Sequence, residues 1–243
     1  MELTGKTALV TGAAVRLGRE IALALAGRGV KIALHYGSST AAALATAAEI
    51  RALGVEVEPL PADLRAAGAA AGLVERAVAR FGRLDILVNS AAVFLPGELA
   101  DTTEENWDLH LDVNLKAPFF LCRAFARQLG ATGEGAIVSI ADWRAVRPGP
   151  RYLAYTLAKS GVVTLTESLA LALAPRIRVN AVAPGAILPP PGGDAAYLER
   201  LADRIPLRRS GSPEEVVRAL LYLLEADFVT GQILFVDGGE RFV

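Results

Sequence analysis

Seven short stretches of the chain are apolar almost without a break: 6–12, 30–36, 55–60, 84–90, 135–141, 176–182 and 232–237. Strands with one wet face alternate apolar and polar residues. These do not, so they read as strands covered on both sides. Longer stretches near 17–28, 40–53, 66–80, 102–128, 152–174 and 213–225 read as helices between them. Two of these carry start signals. Thr102 with Glu105 fits a capping box, and so does Ser212 with Glu215, with Pro213 at the first helical position. Strand and helix alternating at this spacing build βαβ units. The pattern predicts one α/β domain over residues 1–243, a doubly wound parallel sheet of about seven strands with helices on both faces. The irregular stretch 184–212 opens with prolines and glycines and then offers a short helix near 194–204. Placed after the sixth strand, it predicts a substrate lid over about 186–210 or, equally on local evidence, a plain surface loop.

Composition narrows the function classes. The chain is 53% hydrophobic and 21% charged, with a formal charge of −1, so it offers no electrostatic grip on nucleic acid or an anionic membrane. No apolar run has the length of a membrane span, because the 161–175 stretch is interrupted by Glu167 and ends at Pro175. The N-terminus lacks the basic and apolar regions of a secretory signal, so the expectation is a soluble, cytoplasmic protein. A single cysteine, Cys122, leaves neither a disulfide framework nor a multi-thiolate metal site, and no metal is expected.

Chemistry first appears at residues 10–20, VTGAAVRLGRE, between the first strand and the first helix. Gly12 permits a tight turn and Gly18 a close approach of helix to sheet. The helix N-terminus beyond them, with Arg16 and Leu17, presents free N–H groups and a positive dipole end to a pyrophosphate. At the first strand–helix junction of a parallel sheet, such a turn points to a dinucleotide. A site for NAD usually keeps an acid at the end of the second strand for the ribose hydroxyls. Here that place holds His35, Ser38 and Ser39, with no carboxylate. Arg16 is available to a 2′-phosphate or to the pyrophosphate, so the reading is NADPH/NADP+.

Together the motifs resemble the short-chain dehydrogenase/reductase family over essentially the whole chain, which implies a Rossmann-like fold. TGAAVRLG is similar to the family's glycine turn, Asp63–Leu64 to its adenine-contacting pair, and NSAA at 89–92 to its NNAG, with Asn89, Ser90 and Ala91 beside the cofactor. Asn114 in DVNLK, Tyr155 and Lys159 in YTLAK, Pro184–Gly185 before the lid and VTGQILFVDGG at 229–239 complete the set. The departures matter more. Arg16 replaces the middle glycine of the turn, and Asp142 stands thirteen residues before Tyr155, where the family has a serine. The nearby Ser139 is in a strand and out of register for that role. Arg16 and Asp142 resemble the pteridine reductase branch, including dihydromonapterin-type reductases, in which an aromatic just past the NNAG-like motif stacks on the pterin; Phe94 falls there.

The resemblance implies catalysis by Asp142, Tyr155, Lys159 and Asn114, with Phe94 and Arg16 also facing the small-molecule substrate. Tyr155 and Lys159 lie one helical turn apart. The ammonium, with the cofactor's positive nicotinamide, is expected to favour the phenolate, and Asn114 to support a water that relays protons to Lys159. A serine hydroxyl suits a developing alkoxide. Reduction of a ring C=N needs a proton at nitrogen, which an acid at 142 can supply in a titration coupled to Tyr155. Arg144, Arg147 and Arg151 lie near the site in sequence, where they could neutralise a negative substrate tail or be ordinary surface residues. A carbonyl reductase of the same family, acting on a 3-oxoacyl thioester or another ketone, is the alternative, and a non-catalytic NADP(H)-binding regulator a second. Family members are usually homotetramers, and the alanine-rich faces at 103–128 and 152–174 are compatible with that.

Overall fold

The computed structural model describes residues 1–190 and 195–243. Seven strands, β1 (Thr7–Val10), β2 (Lys31–Tyr36), β3 (Val57–Pro61), β4 (Ile86–Asn89), β5 (Gly135–Ile140), β6 (Ile177–Pro184) and β7 (Ile233–Val236), form one parallel sheet in the order β3-β2-β1-β4-β5-β6-β7. The order reverses between β1 and β4, where Val10 pairs with Leu34 on one side and Val88 on the other. Chains leaving β1 and β4 diverge to opposite faces there and open a crevice at the carboxyl edge, the position where such sheets bind ligands.

The unbroken apolar runs have their reason in the layers. Ala8 and Val10 point into a core closed by α1 (Arg16–Gly27), α2 (Thr40–Ala52) and α8 (Pro213–Glu225), with Ile21, Leu25, Ile50 and Leu220 fully buried. Leu9, between them, points to the opposite core under α3 (Ala69–Phe81), α5 (Ala117–Leu129) and α6 (Leu153–Leu173), with Leu73, Leu121 and Phe125. Burial of both faces removes any position for a polar alternation in β1, β4 and β5, whereas the edge strands β3 and β7 are only partly covered and β3 carries Glu58.

Two expected helical details differ. The helix expected over 102–128 is three consecutive pieces: α4 (Glu104–Leu111), a π-helical turn (Asp112–Lys116) and α5. Its N-cap is Thr103, whose Oγ1 accepts the Asn106 N–H at 3.2 Å, while Thr102 donates to the Glu98 carbonyl instead. The capping box at Ser212 is present, with the Ser212 N–H donating to Glu215 Oε2 at 2.9 Å. Within the expected lid a helix, α7 (Ala195–Ala202), is formed, and residues 191–194 of that stretch lie outside the described residues. Among the described residues no helix is long and apolar enough to cross a membrane.

Candidate active site

The carboxyl ends of β1, β2, β4, β5 and β6 bring the sequence-flagged residues to one edge of the sheet. At the end of β1 the turn is as tight as the glycines imply. A Cβ on Gly12, which has φ +66°, would stand 2.8 Å from the Ala91 Cα, and one on Gly18 would stand 2.1 Å from the Gly12 carbonyl oxygen. Thr11 ties this turn to the next strand: its Oγ1 accepts the N–H groups of Ser90 and Ala91 at 2.9 and 3.0 Å. Val15 precedes α1 without a side-chain cap, and the first turn (Arg16, Leu17, Gly18) carries no acid, so its N–H groups are left for an anion. Arg16 holds the left-handed φ of +55° at the place where the resembled motif has a glycine, and its guanidinium reaches across the cleft to the Pro189 carbonyl at 2.6 Å.

His35 has a different role from the one expected. Its ring is buried, Nδ1 accepts the Gly12 N–H at 3.1 Å, and Nε2 faces the Ala62 carbonyl at 3.1 Å. That pattern fixes the neutral tautomer with the proton on Nε2, and burial holds its pKa below the usual imidazole range. His35 is therefore a strut beneath the glycine turn, with no nitrogen left for a ribose. Ser38 and Ser39 are exposed at the N-terminus of α2, and no described residue engages either hydroxyl. Asp63 is exposed and chelated by the Arg65 guanidinium, which holds its carboxyl down at about 2, so it is a fixed anion beside half-buried Leu64. Asn89 is buried and donates to Ser139 Oγ at 3.2 Å, and Ser139 is itself a buried residue of β5. Pro184 ends β6 and Gly185 follows it under the C-terminal turn, where Glu240 Oε2 accepts the Ala186 N–H at 2.9 Å.

The catalytic candidates meet at the ends of β5 and α6. The Tyr155 hydroxyl donates to Asp142 Oδ2 at 2.8 Å, and Asp142 Oδ1 accepts the Arg144 N–H at 2.8 Å with the Arg144 guanidinium 3.5 Å away. Lys159, with 3% of its surface exposed, donates to the Ile140 carbonyl at 2.6 Å and lies 5.8 Å from the Tyr155 ring centroid. Burial lowers the Lys159 pKa to about 8, against the opposing pull of Asp142. The phenolate expected at Tyr155 is not what the protein alone favours. Burial, then the Asp142 carboxylate, push the phenol well above its ordinary value, and Arg144 only partly offsets them. Tyr155 holds its proton.

The Asn114 side-chain amide is engaged by Val93, accepting its N–H at 2.8 Å and donating to its C=O at 2.9 Å, which leaves one lone pair and one N–H of the amide unused by these bonds. Phe94 stacks on Tyr152 at 4.3 Å and 11°, and meets Tyr155 edge-on at 4.7 Å. The Arg144 guanidinium lies over Trp143, Phe94 and Tyr152 at 4.7, 5.7 and 5.8 Å, so of the three arginines it is the one built into the site. Among the described residues Arg147 reaches only the Glu240 carbonyl, and Arg151 is exposed. Thr11, Tyr152, His110 and Glu240 were not legible as site residues. Tyr152 precedes α6 with a left-handed φ of +62°, which no residue pattern announces.

A family profile described as Enoyl-(Acyl carrier protein) reductase matches residues 12–240. The 3-oxoacyl-[acyl-carrier-protein] reductase FabG of Staphylococcus aureus is 35% identical to the chain, over 98% of it and 99% of that protein. An uncharacterized oxidoreductase of Thermotoga maritima is 35% identical, with both chains covered in full. Among solved structures, FolM alternative dihydrofolate reductase 1 from Brucella canis, complexed with NADP, matches with a TM-score of 0.94 and 35% identity, over 100% of this chain and 96% of that one.

Proposed function

This chain belongs to the short-chain dehydrogenase/reductase family, and we propose that within it the protein is an NADPH-dependent reductase of a pteridine-like ring, of the dihydropterin or dihydrofolate type. The observation that carries the reading is the hydrogen bond from Tyr155 to Asp142, a carboxylate where the resembled family has a serine. The cofactor assignment rests on the turn too tight for any Cβ, the uncapped first turn of α1 and the free hydroxyls of Ser38 and Ser39 with no acid beside them. It is supported by the NADP complex of the similar FolM structure. Arg16, Leu17 and Gly18 would hold the pyrophosphate, Ser38 and Ser39 the 2′-phosphate, Asp63 and Leu64 the adenine, Asn89 to Ala91 and Pro184–Gly185 the nicotinamide half, with Lys159 on its ribose. Bound there, NADPH supplies a hydride.

The protein's own part is the proton. A ring C=N that gains hydride at carbon must gain a proton at nitrogen. Tyr155 holds one, its phenol kept protonated by burial and by the adjacent carboxylate. Once Tyr155 gives it up, the phenolate and Asp142 form an anionic pair, which the Arg144 guanidinium beside Asp142 and the buried ammonium of Lys159 compensate. The flat wall of Phe94 and Tyr152 suits a planar heterocycle.

The second reading, reduction of a 3-oxoacyl thioester, is favoured by the 35% identity to FabG across nearly the whole chain. Following NADPH absorbance with dihydrobiopterin, dihydrofolate and an acetoacetyl thioester separates the two. Turnover of the pterin or folate alone is expected. Turnover of the thioester alone overturns the pteridine assignment, and turnover of any of them removes a purely regulatory role. Phe119, Leu157 and Leu171 leave apolar surface exposed on α5 and α6, which supports assembly as a homotetramer, to be read by light scattering in solution.

A further inference from the structure

The segment that leaves β4, residues 93–97, has no strand beside it, so its backbone N–H and C=O groups need partners from elsewhere. One helical face supplies partners for four of them. Asn114 accepts the Val93 N–H and donates to its carbonyl at 2.8 and 2.9 Å; His110 Nε2 accepts the Leu95 N–H at 3.1 Å; Asn106 Nδ2 donates to the Pro96 carbonyl at 3.2 Å. The start of α6 adds the last stitch, from the Leu153 N–H to the Gly97 carbonyl at 2.9 Å.

Asn106, His110 and Asn114 are spaced four apart, and the local helix geometry explains how all three face the same segment. In an α-helix, four residues overshoot a full turn by about 40°. Two such steps would carry the third side chain round the helix and away. The π-helical turn at Asp112–Lys116 is wider and advances less per residue, so it swings Asn114 back toward the face of Asn106. His110, fully buried, is fixed in tautomer. Its Nδ1–H donates to the Asn106 carbonyl at 2.7 Å, and that leaves the Nε2 lone pair for Leu95. The same ring stands edge-on to Tyr155, with centroids 6.2 Å apart.

We infer that His110 is a positioning residue: with Asn114 it pins the main chain on either side of Phe94, so that the Phe94 ring is held against Tyr152 and Tyr155 as a wall already formed before a flat substrate arrives. This rests on the reading that Phe94 faces the substrate. It gives α4 and its π turn a function in specificity through Phe94, with no contact to substrate of their own. An ordered wall leaves less conformational freedom to lose on binding, so the effect belongs in substrate affinity more than in the chemical step.

Two replacements separate the nitrogens of His110. His110→Asn keeps a donor where Nδ1 stands and is too short to reach Leu95, whereas His110→Gln extends an amide oxygen to the place of Nε2. Steady-state kinetics with dihydrobiopterin are expected to show KM raised about tenfold in His110→Asn with kcat within about threefold, and most of the loss recovered in His110→Gln. In a Phe94→Ala background the same Asn replacement is expected to add less than twofold, because its effect runs through Phe94. Hydrogen exchange at the Leu95 amide, which needs no turnover, is expected to accelerate in His110→Asn and recover in His110→Gln. Additive effects of the two sites, or unchanged Leu95 exchange, overturn the inference. Should the wild type reduce the acetoacetyl thioester and not the pterin, the substrate reading fails by itself. The same cycle then runs on the thioester, where non-additivity supports the clamp and additivity overturns it.

Discussion

Lys159→Met is expected to abolish turnover and yet stabilise the protein at neutral pH. The ammonium is buried to 3% exposure with one hydrogen-bond partner, the Ile140 carbonyl at 2.6 Å. Its pKa falls from an ordinary 10.5 to about 8, which corresponds to about 3 kcal/mol of destabilisation while the group is charged, at about 1.4 kcal/mol per tenfold. Methionine has nearly the same length and no charge to desolvate. It leaves the Ile140 carbonyl without a donor, a loss of about 2 kcal/mol. The balance at pH 7 is a gain of about 1 kcal/mol, or a melting temperature higher by about 2–4 °C in a chain of this size. The sign then turns with pH. Below about pH 8 the lysine is charged in both folded and unfolded states, and the folded state bears the burial term in full. Between about 8 and 10.5 the unfolded chain still binds the proton while the folded protein has released it, so wild-type stability rises with pH. The variant has no such group, and the two stability curves are expected to cross near about pH 9, with wild type the more stable above it. Urea unfolding of both proteins at pH 7 and pH 10 tests this, because every other titrating group cancels in the difference. A variant less stable than wild type by the same amount at both pH values would refute the argument.

Asp142→Ser removes the carboxylate that keeps the Tyr155 phenol protonated, so the alkaline limb of the pH–rate profile is expected to move to lower pH and pterin turnover to fall by about 10²–10⁴; an identical profile in the two enzymes refutes the coupling. Gly18→Ala drives a Cβ to 2.1 Å from a backbone oxygen, and the resulting strain is expected to exceed about 3 kcal/mol and abolish NADPH binding. Gly27→Ala, with nothing within 4 Å, is the control and is expected to hold or raise the melting temperature; equal behaviour of the two in thermal melts would mean the turn is not tight. Ser39→Asp places an acid at the N-terminus of α2, which suits the helix and repels a 2′-phosphate. The ratio of kcat/KM for NADPH over NADH is expected to fall at least about tenfold, by roughly 1.4 kcal/mol or more, and an unchanged ratio would move the 2′-phosphate elsewhere.

What the residue pattern made legible is whatever depends on periodicity or on glycine. Runs such as 84–90 and 135–141 have no alternation because both sheet faces are covered, and that alone gave the layers and placed the carboxyl edge. Gly12 and Gly18 were legible because only hydrogen fits there. The misses share a different cause. His35 has a residue type that suits a cofactor, and its partners are main-chain groups 23 and 27 residues away, which local sequence does not specify. The π turn follows from nothing in DVNLK taken alone. It is recognisable through what it aligns, Asn106 and His110 with Asn114, once residues 93–97 are seen to lack a strand partner.

The protonation state of Tyr155 follows from the same disposition of charges. A dehydrogenase of this type needs a phenolate at working pH to take the proton from an alcohol. Here the ammonium that would promote one is turned to the Ile140 carbonyl, and the nearest charge to the phenol is Asp142, an anion of the wrong sign for that purpose. A serine in that place would remove the anion and leave burial alone to raise the phenol. On the proposed reading, the carboxylate keeps the proton on Tyr155 for a ring nitrogen that gains electron density from hydride addition. Burial and the carboxylate at 142 therefore act together, and on the proposed reading they present the substrate with a proton donor.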